Sequence, residues 1–237
     1  MNILFGASSS IGNELIKIYE SRLEDYLCIG RNATAHNWIF GDLKKSEEIK
    51  LPKKAYKAKR ILFCQRYRPK NGESYSLEND MATHVSGPMS FCRRAFKELK
   101  DLQSIVMLSS GAAEYVASEQ SVEYHIVRAG LESMCKYLAV EFSCKDIAVN
   151  AIRIGYVKTQ KKVNSRESRF YDADRYVLPR GFAPNAEEVA EAVDKVSTLS
   201  TSIITGQTIS VDAGLTLKTH SSLGYSISQS LTGLSGE

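Results

Sequence analysis

Ile105-Val106-Met107-Leu108-Ser109-Ser110-Gly111 and, after a polar loop, Val122-Glu123-Tyr124-His125-Ile126-Val127-Arg128 form the stretch from which the rest of the chain is read. Four consecutive apolar residues are too few for a helix and suit a buried strand, which Ser109-Ser110-Gly111 ends. Beyond the loop, Val127, Leu131, Met134, Leu138 and Phe142 recur at three- and four-residue steps, so the spacing predicts a helix over 122–142 with one buried face. Tyr124 and Arg128 are four apart and lie one above the other on that helix. A strand-end hydroxyl, a phenol and a fixed cation can thus converge, which suits proton transfer to a carbonyl or alcohol. The cation favours the phenolate, and Ser110 is placed to hold a substrate oxygen. On spacing alone, an ordinary half-buried tyrosine beside a solvated arginine is the favoured reading, because such pairs are common.

Composition narrows the choices. The chain has 237 residues, 43% of them hydrophobic, which suits one α/β domain with a substantial core. No apolar run is long enough to span a membrane. The first strand begins at Asn2 or Ile3, which leaves no room for a signal peptide and implies a cytoplasmic protein. Cys28, Cys64, Cys92, Cys135 and Cys144 form no CxxC pair and no ligand spacing, so they read as core thiols in a reducing compartment, with no metal site. The net charge of +4 permits an anionic ligand, and no basic-aromatic motif points to nucleic acid.

Ser109-Ser110-Gly-Ala-Ala-Glu114 and Tyr124-xxx-Arg128-Ala-Gly-Leu-Glu-Ser-Met-Cys-Lys-Tyr-Leu-Ala-Val-Glu141 resemble the active-site segment of the short-chain dehydrogenase/reductase family. The resemblance continues through Val149-Asn-Ala-Ile-Arg-Ile-Gly-Tyr-Val-Lys-Thr159 and Ile204-Thr-Gly-Gln-Thr-Ile-Ser-Val-Asp-Ala-Gly214, and with the N-terminus it covers nearly the whole chain. It implies a single doubly wound Rossmann-type α/β domain over 1–217, with a central parallel sheet flanked by helices. It also implies catalysis by Ser110 and Tyr124, and a homodimer or homotetramer. Arg128 stands where the family has its catalytic lysine, and His84 aligns with the family's asparagine, which holds a water in a proton relay. Histidine can donate and accept, although a helix histidine satisfied by a backbone carbonyl fits as well.

The N-terminal strand Ile3-Leu4-Phe5 leads into Gly6-Ala-Ser-Ser-Ser-Ile-Gly12 and a helical pattern, the arrangement that sets helix amides against a phosphate. By the resemblance Gly6, Ser8, Ser9, Ser10, Ile11 and Gly12 form the cofactor turn, with Ser10 replacing the middle glycine and weakening binding. Tyr26–Arg31 reads as the second strand. Gly30 fills the position of the acidic residue that reads NAD, and Arg31 suits the 2′-phosphate of NADP, so NADP is expected over NAD. Asp42 and Leu43 fall at the family's adenine contact, Gln65 keeps the amide after the next strand, and Thr159 matches the residue that contacts the nicotinamide carboxamide. Arg66 and Tyr67 are large where small residues are usual; they swing outward, reach a phosphate or partly fill the pocket.

The remainder is less specific. Residues 78–99 read as a long helix with Met81, Val85, Met89, Cys92 and Phe96 on one stripe and a bend at Gly87-Pro88. The substrate loop, about 158–182, is rich in lysine and arginine, which fits an anionic substrate or simply a solvated lid. Residues 186–199 form a helix, 208–211 the last strand, and the Ser/Gly-rich tail 218–237 is disordered in part or ordered by a partner subunit. Two functions follow: an NADP-preferring oxidoreductase acting on a small substrate, slowed by Arg128, with proton relay moved to His84; or a family member that keeps the fold without the chemistry. Ser110 and Tyr124, which packing does not require, favour the enzyme.

Overall fold

The structure, a computed structural model, describes residues 1–32, 35–69, 73–158, 177–199, 203–217, 222–225 and 227–228. Seven short strands form one parallel sheet in the order β3-β2-β1-β4-β5-β6-β7. They are β1 (Asn2–Phe5), β2 (Tyr26–Gly30), β3 (Trp38–Phe40), β4 (Arg60–Phe63), β5 (Ser104–Ser110), β6 (Ala148–Ile154) and β7 (Thr208–Val211). The order reverses about β1, and β1 pairs with β4 through Phe5↔Phe63. In such a sheet the crevice beyond the carboxyl ends of the strands at the reversal is where ligands bind.

Alternation along the strands feeds two separate cores. Ile3, Phe5, Ile61, Phe63, Ile105 and Met107 face one layer with helices α3 (Gly87–Glu98) and α4 (Val122–Phe142). Leu4, Leu62, Val106 and Ile152 face the other, with α1 (Ser10–Ser21) and α5 (Ala186–Leu199). Phe5 stacks on Phe63 and takes Phe91 edge-on, at 4.8 Å between centroids in both pairs, which fixes α3 over the centre of the sheet. Four of the five cysteines are buried in these layers; Cys144 is exposed.

The α4 stripe is as the spacing predicts, with Val127, Leu131, Met134, Leu138 and Phe142 all buried. The expected helix over 78–99 differs in two ways. It is built as α2 (Leu77–Met81), a π-turn over Ala82–Ser86 and then α3, and the irregularity precedes Pro88 instead of centring on it. Gly87 N–H reaches back five residues to Ala82 O, and a Cβ on Gly87 would lie 2.1 Å from Leu43 O. The missing side chain lets the helix touch the backbone beside β3. The buried stripe is also displaced in part: Cys92 is buried as expected, with His84, Pro88, Phe91, Ala95 and Leu99, while Met81 is half-buried and Val85, Met89 and Phe96 border the core. A histidine, a proline and an alanine carry little hydropathy signal, so apart from Cys92 the apolar pattern pointed one residue off.

Most of the substrate loop and of the tail from Lys218, including Thr159, lies outside the described residues. Among the described residues no helix is long and apolar enough to cross a membrane. Substituting Gly87→Ala forces the Leu43 backbone apart from α3. It is expected to lower stability by roughly 1–3 kcal/mol, measured as a fall in the urea midpoint with the slope unchanged.

Candidate functional site

Three chain segments end in the crevice: the turn after β1, the segment after β4 and the loop after β5. After β1, Gly6 adopts φ +71°, and its ideal Cβ would lie 2.2 Å from Gln65 N, so only glycine allows the two segments to meet. A Cβ on Gly12 would likewise lie 2.4 Å from Gly6 O. Ser9 caps α1, its Oγ accepting Gly12 N–H at 3.0 Å. The amides of Ser10 and Ile11 in the open first turn have no hydrogen-bond partner among the described residues. Ser8 and Ser10 are exposed, and Ile11 is half-buried. A cleft lined by Gly6, Ala7, Ser8, Gly30, Arg31 and Trp38 opens beside this turn.

The other expected cofactor residues divide. Arg31 is exposed on the cleft wall. Asp42 caps the 3-10 turn over Leu43–Glu48, accepting Lys44 N–H at 3.0 Å, and Leu43 is buried in the core. Gln65 donates through Nε2 to Thr83 O at 3.1 Å, while its buried Oε1 has no partner. Of the three alternatives for Arg66 and Tyr67, the outward one describes Arg66, which is exposed; Tyr67 is half-buried and packs edge-on against Tyr75 at 5.2 Å.

On α4, Arg128 is no solvated helix charge: it is 4% exposed. Its Cζ lies 4.6 Å from the centroid of the half-buried Tyr124 ring, a cation–π contact. Its Nη2 lies 3.1 Å from His84 Nε2 and 3.7 Å from Asp80 Oδ1, and its buried Nε has no hydrogen-bond partner. His84 and Asp80 are themselves buried at 1% and 0% exposure. The π-turn carries His84 so that Nδ1 faces Asp80 Oδ1 at 2.5 Å, while Nε2 also lies 3.0 Å from Gln65 O. Asp80 Oδ2 accepts from Tyr75 Oη. Burial, then the Arg128 charge, lower the His84 pKa below its ordinary 6.5 against the opposing pull of Asp80. Burial alone would raise the Asp80 pKa, but the His84 and Tyr75 hydrogen bonds and the Arg128 charge outweigh it and hold it below 3.8. Burial and the bond to Asp80 push the Tyr75 phenol up.

The two serines at the end of β5 have separate work. Ser109 donates to Glu132 Oε1 at 2.8 Å, and the buried Glu132 takes Arg153 through both oxygens, at 3.1 and 2.7 Å. Glu114 also pairs with Arg153. Ser110 accepts Ala112 N–H at 3.3 Å and caps the short turn over Gly111–Ala113, so its own O–H proton remains for another group. Among the described residues no hydrogen bond joins Ser110 to Tyr124. His125 donates through Nδ1 to Ser121 O at 2.7 Å and accepts Ala117 N–H at 2.9 Å, tying the loop after β5 to α4. Arg180, at the end of the substrate loop, pairs with Glu188 at 2.9 Å. No cluster able to hold a metal occurs among the described residues.

Sequence reasoning missed Asp80, Tyr75, Glu132 and Arg153. A signal existed for two of them: Arg153 is a charge inside an apolar strand, and Glu132 is an acid one turn beyond Arg128 on the buried side of α4. Nothing in the spacing distinguishes Asp80 from a solvated helix acid.

Residues 70–216, more than half of the chain, match the family model described as Enoyl-(Acyl carrier protein) reductase. Among curated proteins, the chain is 30% identical to 3beta-hydroxysteroid dehydrogenase 1 of Eggerthella lenta over 56% of its length and 52% of that protein's. It is 26% identical to glucose 1-dehydrogenase of Gluconobacter oxydans over 77% of its length and 73% of that protein's. The chain thus spans about half of the former relative and about three quarters of the latter. The fold is shared with a solved structure titled "ElxO with NADP Bound", at a TM-score of 0.70 and 20% identity over 92% of this chain and 99% of that one.

The His84 environment makes a pH prediction. Its folded pKa is depressed, so above about 6.5 both the folded and unfolded chain hold it neutral and stability is complete. As pH falls below 6.5 the unfolded chain protonates first, and stability drops by at most about 1.4 kcal/mol per pH unit until the folded pKa is passed. Urea unfolding between pH 7 and 5 is expected to show this slope, and His84→Gln to flatten it.

Proposed function

The chain belongs to the short-chain dehydrogenase/reductase family, and from that footing we propose that it is an NADP-preferring oxidoreductase interconverting a carbonyl and an alcohol on a small substrate. The observation that carries this reading is the buried Arg128, seated over the Tyr124 ring and fixed from behind by His84 and Asp80. A surface tyrosine and arginine would need no such support.

The residues present fit a nicotinamide dinucleotide. The open Ser10 and Ile11 amides at the α1 N-terminus suit a pyrophosphate. Arg31 on the cleft wall suits a 2′-phosphate. The buried, unpartnered Arg128 Nε and Gln65 Oε1 are a donor and an acceptor of the kind a ribose or carboxamide would satisfy. Bound NADPH supplies the hydride. Tyr124 then donates its proton to the carbonyl oxygen, and takes it back when the reaction runs toward oxidation. Ser110 directs its spare O–H at the same oxygen. Arg128 holds a permanent positive charge beside the phenol and does not pass protons.

In this reading His84 does not relay protons. His84 Nε2 faces Arg128, which stays protonated, and its Nδ1 faces the carboxylate of Asp80. In this reading Tyr124 exchanges its proton with water at its accessible edge, and slow turnover is expected. Against a non-catalytic binding role stand the outward Arg66, which leaves the crevice open, and the spare Ser110 proton. The basic excess of the substrate loop fits an anionic substrate. The exposed Ile126, Tyr137 and Val140 on α4 support a homo-oligomer formed through that helix.

The chain's one tryptophan, Trp38, lines the cleft and reports on binding. Quenching of its fluorescence is expected at micromolar NADPH and only at higher NADH. Arg31→Ala should weaken NADPH by about tenfold while leaving NADH unchanged. Tyr124→Phe should bind NADPH normally and lose roughly a hundredfold or more of any turnover found in a carbonyl screen. Equal affinity for both cofactors would remove the NADP preference, and no binding of either at millimolar concentration would remove the enzyme.

A further inference from the structure

We propose that Asp80 is the positioning residue of this site: its buried carboxylate sets the tautomer of His84, and through it the orientation of Arg128 against Tyr124. The inference rests on the oxidoreductase reading for its consequence, though not for its geometry.

The proton assignment follows from which atoms can only donate and which can only accept. At Nδ1, His84 faces Asp80 Oδ1 at 2.5 Å and Asp80 O at 3.3 Å, both acceptors, so Nδ1 carries a proton. At Nε2 the ring meets Arg128 Nη2 at 3.1 Å, which only donates, and Gln65 O at 3.0 Å, which only accepts. A doubly protonated ring would satisfy Gln65 but bring a second cation against the guanidinium in a site closed to water. Burial and Arg128 both press the ring toward neutrality. The neutral ring with Nδ1–H therefore leaves Nε2 as the acceptor for Arg128. The bonds then run in one direction: Arg128 Nη2–H to His84 Nε2, His84 Nδ1–H to Asp80 Oδ1, with Tyr75 Oη–H closing on Asp80 Oδ2.

Asp80 is also the one carboxylate in ion-pair range of Arg128 among the described residues; Glu132, a turn away on α4, is taken up by Arg153 and Ser109. The titratable groups around His84 are thus Asp80 from α2, Arg128 from α4, and Tyr75, through Asp80, from the segment before α2. Changing Asp80→Asn removes the charge and offers an amide N–H in place of an obligate acceptor. The ring is then free to turn its proton to Nε2, where Gln65 O accepts it. Arg128 Nη2–H would face another N–H and must leave. A lysine in place of Arg128 carries one compact charge and would need no such alignment; a planar guanidinium does.

The test is nitrogen-detected imidazole NMR of the cofactor-free 15N-labelled chain at pH 7, with His84→Gln assigning the His84 signals among the four histidines. The wild-type chain is expected to show a neutral ring protonated at Nδ1. Asp80→Asn should shift the population to Nε2–H and weaken NADPH binding by about tenfold or more, by analogy with the loss seen when a group that orients a metal ligand is removed. A wild-type ring protonated at Nε2, or at both nitrogens, overturns the proposal, and this reading does not depend on Asp80→Asn folding. An Asp80→Asn chain that keeps the Nδ1–H signature and full NADPH affinity overturns it as well. If the wild-type chain binds no NADPH, the oxidoreductase reading fails while the NMR result still decides the role of Asp80.

Discussion

A guanidinium at 4% exposure must be balanced by charge and by acceptors, and in this chain Arg128 finds both in residues that lie more than forty positions away. Leaving such a charge buried without its partner costs about 3–5 kcal/mol, a large part of the stability of a domain this size. The fold is therefore tied to the site. Asp80 and His84 must arrive under α4, with the π-turn between α2 and α3 giving His84 its inward aim. Gly87, touching Leu43 O, lets that helix come close enough. The same requirement explains why Asp80 can be wholly buried: it has a proton donor on each oxygen and a cation nearby.

The sheet supplies the frame. Because the strand order turns about β1, the turn after Phe5 and the segment after Phe63 open toward each other, and the loop after β5 arrives beside them. The Phe5–Phe63–Phe91 cluster lies just beneath that opening and holds α3 to the sheet. A second buried charge group, Glu132 with Arg153, braces α4 against β6 one turn below Arg128 and engages Ser109. Ser110, next along β5, is left with a proton to offer. Two layers of charge on one helix, each with its own partners, set the height and rotation of Tyr124.

β1, β2, β4, β5 and β7 were legible as short apolar runs and α4 by its three-to-four-residue apolar spacing, both direct records of burial, whereas the three-residue β3 was not read as a strand. Tyr124, Arg128 and Ser110 were legible as a pattern, and the glycines of the β1 turn as a place where backbones must meet. The rest was hidden for physical reasons. The π-turn depends on a contact between Gly87 and Leu43 that no local spacing encodes. Alongside Phe91 and Cys92, the buried face of α3 and the π-turn before it includes His84, Pro88 and Ala95, residues with weak hydropathy, so Val85 and Met89 in the apolar stripe marked its edge. Asp80 reads as a solvated helix acid until the arginine that it balances is seen. Arg128, read by spacing as either a catalytic cation or a surface charge, is a buried cation whose Nη2 is held from behind by His84 and Asp80 while its Nε has no partner.

The most direct test of this account is a crystal structure of the chain with NADP. The account predicts the 2′-phosphate at Arg31, the pyrophosphate over the Ser10 and Ile11 amides, and Arg128 still held by His84 and Asp80 above the Tyr124 ring. Arg128 swung away from Asp80 to meet the cofactor, or NADP bound outside the crevice between β1 and β4, would contradict it.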